Sequence, residues 1–238
     1  MIDFVKNQFE CFKLGFGNPN GDYWFVGPEE GGSSESVDLR MQIWKQLKAE
    51  HYTDIYDFHK LFNNGTLRFF DNPIKLQSTW SGLIEILMAM CGEEYSLNRK
   101  RQIQSKEFGR GNSNTCIVDL MPYSSQSIED VNWNLHHKET KVEYITRLKA
   151  MRITLLVKEL ITYQPKVVLF YSKSYIKEWI EIINRVVDNN VTFFQHPALP
   201  LLSYKSDSTL FVITDHPTSI TMNSIKTVIG YNLKGLLA

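Results

Sequence analysis

Glu29 and Glu30 lie in Gly27-Pro28-Glu29-Glu30-Gly31-Gly32, directly after the apolar run Tyr23-Trp24-Phe25-Val26. His216 lies in Asp215-His216-Pro217-Thr218-Ser219, directly after Leu210-Phe211-Val212-Ile213-Thr214. A carboxylate and an imidazole are side chains suited to stabilising charge and carrying protons near neutral pH. Each apolar run reads as a buried strand, and each polar stretch as a sharply turning loop at its carboxyl end. Such loops meet at one rim of an open α/β sheet, where ligands bind. The acid and the imidazole are therefore candidates for one site, although they come from opposite ends of the chain.

Four strands and the helices between them must do the positioning. Tyr23–Val26, Thr115–Leu120, Lys166–Tyr171 and Leu210–Thr214 are short, rich in Val, Ile, Leu or Phe, and bounded by turn formers. Continuous apolar runs of that length fit strands of a parallel sheet covered on both faces. Helical spacing of apolar residues appears at Val37, Met41, Trp44 and Leu47, and again at Leu76, Trp80, Leu83, Ile84, Leu87 and Met88. It recurs from Ile145 to Leu160, in a segment that stops before Pro165, and from Tyr175 to Val187. Strands alternating with helices predict an α/β fold: a three-layer α/β/α sandwich around a central four-stranded, mostly parallel sheet. Phe193–Pro197 is an additional edge-strand candidate. With no repeat, low-complexity tract or linker, residues 1–238 read as one domain.

The bulk properties exclude several classes. Lys+Arg and Asp+Glu balance at 26 each, so no global field marks a nucleic-acid partner, although a local basic strip would still serve. The run from Arg99 to Arg110 is a candidate for such a strip. Three widely spaced cysteines form no CxxC pair, which argues against a structural zinc or a four-cysteine cluster. Cys91 and Cys116 sit in apolar runs and read as core. No apolar stretch approaches the ~20 residues of a membrane span, and the N-terminus lacks a signal-peptide core. The expectation is a soluble, monomeric, cytoplasmic protein with no membrane partner.

The order of motifs resembles the uracil-DNA glycosylase superfamily. A strand runs into a Gly-x-x-x-Gly carboxylate loop at Gly27–Gly31. A second ends in a base-reading residue followed by proline, here Val118-Asp119-Leu120-Met121-Pro122. Pro165-Lys166 introduces a third, and a fourth runs into His216-Pro217-Thr218-Ser219. The resemblance implies an enzyme that swings a nucleotide out of the stack and hydrolyses its N-glycosidic bond. Glu29 would then stabilise the cationic sugar and orient water, as carboxylates do in glycoside hydrolysis. His216 would donate a hydrogen bond to O2 of the departing base. Glu30, in an uncertain register, is the alternative acid. No cofactor or metal is implied: the branch of the superfamily with an iron–sulfur cluster needs four cysteines. No lysine in the motifs suggests a strand-cleaving activity.

One departure bears on the substrate. Many uracil-excising relatives carry asparagine where this chain has Asp119. An ionised aspartate only accepts hydrogen bonds, so it suits the amino group of cytosine and opposes O4 of uracil. An enzyme that removed ordinary cytosine would destroy its host genome, so the expected substrate is a 5-substituted cytosine. The superfamily includes an antiphage enzyme that removes glucosylated hydroxymethylcytosine from viral DNA, and this chain is similar in type. The long insertion between Gly32 and Trp80 would remodel the space beside position 5.

Further residues follow from the same resemblance. Gly27, Pro28, Trp80 and Tyr123 are expected to line the base pocket, with Phe70 a weaker aromatic candidate. Ile220 or Met222 would wedge into the gap left in the DNA. Thr218, Ser219 and Asn223, helped by a helix N-terminus, and Ser172 and Lys173 would contact phosphates. Against this stand uracil excision, a non-catalytic DNA-binding relative, and an unrelated nucleotide-binding α/β fold. The first loop lacks both the P-loop lysine and the dinucleotide fingerprint.

Overall fold

The computed structural model describes residues 2–32, 36–63, 65–125, 133 and 139–237, with backbone alone for 2–6. The strands are β1 (Gly15–Gly17), β2 (Tyr23–Gly31), β3 (Tyr52–Thr53), β4 (Thr115–Ser125), β5 (Val167–Tyr171), β6 (Phe194–Gln195), β7 (Leu201–Lys205) and β8 (Leu210–Thr214). The helices are α1 (Ile2–Phe12), α2 (Val37–Gln46), α3 (Ile55–Phe62), α4 (Ser78–Cys91), α5 (Leu97–Lys106), α6 (Lys141–Tyr163), α7 (Ile176–Val186) and α8 (Lys226–Leu237). The fold is α/β. Among the described residues no helix is long and apolar enough to cross a membrane.

The sheet is larger than expected and mixed. Its eight strands run in the order β3-β1-β4-β2-β5-β8-β7-β6. The four predicted strands are neighbours in the middle, β4-β2-β5-β8, and each adjoining pair is parallel. Their carboxyl ends therefore share one edge of the sheet. The added strands lie outside them: β1 is antiparallel to β4, and β7 and β6 follow β8 as an antiparallel margin. All five residues of β5 and all five of β8 are buried, as continuous apolar runs require.

Helices cover both faces. Neighbouring strand residues point to opposite sides. Trp24 meets Tyr163 at the end of α6, whereas Phe25 meets Phe108 just after α5. Phe170 packs on Trp179 of α7. On the α5 side, α4 and α8 approach closely: a β-carbon on Gly230 would lie 2.5 Å from Ala89 Cβ and from Ile86 O. The ends of these helices are well specified. Thr140 and Glu143 close a reciprocal capping box on α6, which ends at Gln164 in left-handed conformation before Pro165. The side chain of Gln77 caps α4 by accepting from Trp80 N–H at 2.7 Å.

Two sequence expectations change here. The carboxylate motif is not a turn: β2 continues to Gly31 and pairs with β4, Gly27 opposite Asp119 and Glu29 opposite Met121, with an irregularity before Gly31. β4 likewise runs past Pro122 to Ser125. Mutual pairing satisfies backbone groups that isolated loops would have to satisfy otherwise. Cys91, expected in the core, is exposed at the end of α4, while Cys116 is buried.

Arg152 of α6 ties this face to the site-bearing strand. Its side chain is fully buried, and its guanidinium donates to Leu120 O at 2.7 Å and Asp119 O at 3.0 Å. Arg152→Met keeps the apolar stem and leaves those carbonyls without their donor, at about 1–3 kcal/mol for a buried group. The expected loss is roughly 3 kcal/mol, read as a lower urea midpoint with unchanged slope.

Candidate active site

The carboxyl edge of the central strands borders a cavity of about 330 Å³. Glu29 and Glu30 from β2, Asp119 from β4, Tyr171 and Ser172 from the end of β5, and His216 after β8 all line it. Trp80 and Gln77, at the start of α4, close another side, and Phe16 and Ile117 supply apolar wall. The volume lies within the ordinary range for a small-molecule pocket, roughly 300–1,000 Å³.

Strand alternation sends the two adjacent glutamates to different partners. Glu29 Oε1 accepts from Lys141 Nζ at 2.8 Å, and the same ammonium donates to Ser125 Oγ at 2.7 Å. Lys141 is the first residue of α6, where the helix dipole disfavours a positive charge. The carboxylate of Glu29 offsets that disadvantage. Glu30 instead pairs with Arg40 and with Lys13 Nζ at 3.3 Å. Burial works against its charge, but Arg40 and Lys13 outweigh burial and pull the carboxyl down to about 2. Glu30 is thus neither a solvated acid nor a helix cap.

Asp119 shares the Lys13 ammonium, at 3.5 Å from Oδ2. Lys13 is 1% exposed and also donates to Pro122 O at 3.3 Å. Burial is the largest influence on Asp119 and raises its carboxyl to about 6, against the opposing pull of Lys13. Asp119 is therefore the weaker acid of the two carboxylates that share Lys13.

His216 is set up as a donor. Thr218 N–H donates to its Nδ1 at 3.3 Å, and Thr218 Oγ1 lies 2.8 Å from the same nitrogen. An accepting Nδ1 leaves the proton on Nε2 in the neutral ring. Burial lowers the imidazole's pKa, which keeps the ring neutral. Its edge meets Tyr171, with ring centroids 5.6 Å apart. Gly27 does not border the cavity. Its role is clearance, since a β-carbon there would lie 2.2 Å from the Tyr171 hydroxyl. Ser172 holds a strained left-handed backbone, φ +89°, at the end of β5.

The structure brings Glu29, Asp119, His216, Pro28 and Trp80 to one cavity, as the sequence predicts, and Ser172, expected at a phosphate, lines it as well. Other expectations are corrected. Tyr123 is buried away from the cavity, donating to Glu10 and stacked on Tyr144 at 4.7 Å, because β4 continues past Pro122. Met222 is fully buried and accepts from Thr214 Oγ1 at 3.6 Å, so it cannot wedge into DNA, whereas Ile220 is 89% exposed. Phe70 is buried against Trp80 and does not border the cavity. Thr218, Ser219 and Lys173, expected at phosphates and not at the base, lie outside the cavity wall, and Lys173 Nζ is 3.6 Å from Asp215. A single 3₁₀ turn follows Ser219, and α8 starts only at Lys226, so no α-helix N-terminus lies at Thr218–Asn223.

The basic strip is largely neutralised. Arg99 pairs with Glu93 and Glu107, Lys100 with Glu85, and Arg110 with Asp54. Sequence reading missed Lys13, Arg40 and Lys141, which hold the site's carboxylates. Lys13 carried one faint signal, a lone charge within the apolar stretch Phe12-Lys13-Leu14-Gly15-Phe16.

Comparison of the chain with models of known protein families and with curated protein sequences finds no match.

The pH dependence of stability tests these charges. Well below pH 4 Asp119 is protonated whether the chain is folded or not, and well above pH 6 it is ionised in both. In between, the folded chain holds the extra proton, so Asp119 makes stability fall as pH rises from about 4 to about 6. Glu30 acts oppositely: its contribution is present above about 4.5 and is lost as pH falls towards about 2. Urea unfolding at a series of pH values should show the first slope in the wild type and not in Asp119→Asn.

Proposed function

We propose that this chain is a DNA glycosylase of the uracil-DNA glycosylase type, acting on a pyrimidine that carries an exocyclic amino group and a substituent at position 5. The observation that carries this reading is the convergence of Glu29, Asp119 and His216 on one cavity at the carboxyl edge of four parallel strands.

The three groups divide the chemistry. A nucleotide swung out of DNA places its base in the cavity. Asp119, ionised and anchored by Lys13, accepts from the amino group. As the N-glycosidic bond lengthens, positive charge grows on the sugar and negative charge on the base. Glu29 faces the sugar, stabilises its charge and orients the attacking water, while Lys141 holds the carboxylate in place. His216 gives its Nε2–H hydrogen bond to O2 of the departing base. That bond strengthens as charge accumulates, so it favours the transition state over the bound substrate. Water adds to the sugar carbon, its proton passes to Glu29 or solvent, and the base leaves over an abasic site. Ile220 is the wedge that fills the vacated stack. Thr218 and Ser219, in the turn after His216, and Ser172 and Lys173, at the end of β5, take the flanking phosphates.

A second reading, uracil excision, is favoured by the raised carboxyl of Asp119. Once protonated, Asp119 both donates and accepts, which matches O4 and N3–H of uracil.

Mass spectrometry of bases released from oligonucleotides containing cytosine, 5-hydroxymethylcytosine, its glucosylated form and uracil tests the proposal. Release of a 5-substituted cytosine with none of plain cytosine or uracil is the expected result, and clean uracil release would sink it. His216→Ala should lower kcat by about 10²–10³, the loss typical of one transition-state donor. Glu29→Gln should cost about 10²–10⁴, with DNA binding retained in both. Activity on the amino-bearing base should fall as pH drops below about 6, where Asp119 takes up its proton.

A further inference from the structure

Among the described residues, lysines 13, 141 and 173 each reach an acid near the carboxyl edge of the sheet, and they differ in what they can do. Lys13 Nζ donates to Glu30 at 3.3 Å, Asp119 at 3.5 Å and Pro122 O at 3.3 Å. Withdrawing it would leave Asp119, a buried carboxylate, without the ammonium beside it. Lys173 lies off the cavity wall, 3.6 Å from Asp215. Lys141 is placed otherwise. Its Nζ is 2.8 Å from Glu29 Oε1 and 2.7 Å from Ser125 Oγ, and both of those residues line the cavity. A group that touches Glu29 from the cavity is therefore close to this amine, whose flexible four-carbon stem can turn towards it. The motifs contain no lysine for such a role, because this one stands 112 residues beyond Glu29.

A lysine amine attacks carbonyl carbon once it has given up its proton. Glu29 is a proton acceptor already in contact with it. The N-terminal dipole of α6 opposes a positive charge at the first residue of that helix. The Lys141 side chain is 10% exposed, so little water solvates the ammonium. Between turnovers Glu29 and the Trp133 ring, whose centroid is 5.6 Å from Nζ, hold the cation in place. A carbonyl would arise here as the product of base release. Hydrolysis at the sugar carbon C1′ leaves a hemiacetal, which opens to an aldehyde, and Glu29 is the acid that faces this sugar. We propose that Lys141 is the nucleophile of a second activity, cleavage of the DNA strand at the abasic site through a Schiff base. The assignment rests on the reading of the cavity as the site of base release.

The steps balance without an oxidant or a metal. Lys141 passes a proton to Glu29, and its nitrogen forms a bond to C1′ of the aldehyde, giving a neutral carbinolamine. The proton on Glu29 leaves with the C1′ hydroxyl as water, and a protonated imine remains. Glu29, ionised again, takes a proton from C2′. The electron pair of that C–H bond then expels the 3′-phosphate as the C3′–O bond breaks, and Glu29 releases its proton to the phosphate or to solvent. Water hydrolyses the imine, which frees the Lys141 ammonium and an unsaturated aldehyde on the upstream strand.

The probe is a single-stranded oligonucleotide with a preformed abasic site, so the readout does not depend on base release. Incubated with the full chain and sodium borohydride, it should give a covalent protein–DNA band, since hydride reduces the imine to a stable amine. Without borohydride the strand should be cut at the abasic site. Peptide mass spectrometry of the wild-type adduct should place the sugar remnant on Lys141. Lys141→Arg keeps a cation against Glu29, but a guanidinium stays protonated and is no nucleophile, so both the band and the cleavage should be lost. Absence of a band with the wild type, an adduct on any other amine, or an undiminished band in Lys141→Arg would overturn the assignment. A band on Lys141 with no base released from any modified oligonucleotide would support the strand-cleaving activity and remove the glycosylase reading. Base release with no band would keep the glycosylase and remove the second activity.

Discussion

Two buried carboxylates, Glu30 and Asp119, share one ammonium, that of Lys13. Without a cation between them they could not both stay ionised, because like charges held that close force one to keep its proton. Arg40 completes the set, so two cations face two anions inside the protein. Three of the groups come from neighbouring segments, just after α1, from β2 and from α2, and the fourth, Asp119 of β4, lies 106 residues beyond Lys13. Removing one partner of such a set leaves an uncompensated buried charge, at a cost of roughly 3–5 kcal/mol. The set therefore fixes where these elements stand around the cavity as well as which protons the cavity holds.

The same network explains why neighbouring acids behave differently. Glu30 faces two cations and stays strongly acidic, while Asp119 faces one and is raised by burial. Glu29, one residue from Glu30, points to the opposite side of β2 and meets Lys141 from another helix. The backbone makes this separation possible. Had β2 turned at Gly27, both side chains would have faced one loop environment. Because it remains a strand to Gly31, alternation assigns each to its own cation.

The central strands were legible because they are continuous apolar runs, and their parallel pairing brought Glu29, Asp119 and His216 together as expected. The strand extensions were not legible: Pro122 and the glycines at 27, 31 and 32 read as turn signals, and only the pairing of β2 with β4 overrides them. Tyr123 was misplaced for that reason. The fate of Met222 and Ile220, two residues apart, depends on one 3₁₀ turn that no periodicity announces. The cations that hold the site were invisible because each belongs to a segment without a motif. Lys13 follows an N-terminal helix, Arg40 sits in an insertion, and Lys141 opens a helix whose capping box, Thr140-x-x-Glu143, says nothing of the residue beside it.

The amide of Thr218 has an effect out of proportion to its size. By occupying Nδ1 of His216 it decides which ring nitrogen bears hydrogen. The tautomer is thus written into the main chain itself, so the turn after β8 fixes the direction of the N–H as well as the place of the ring.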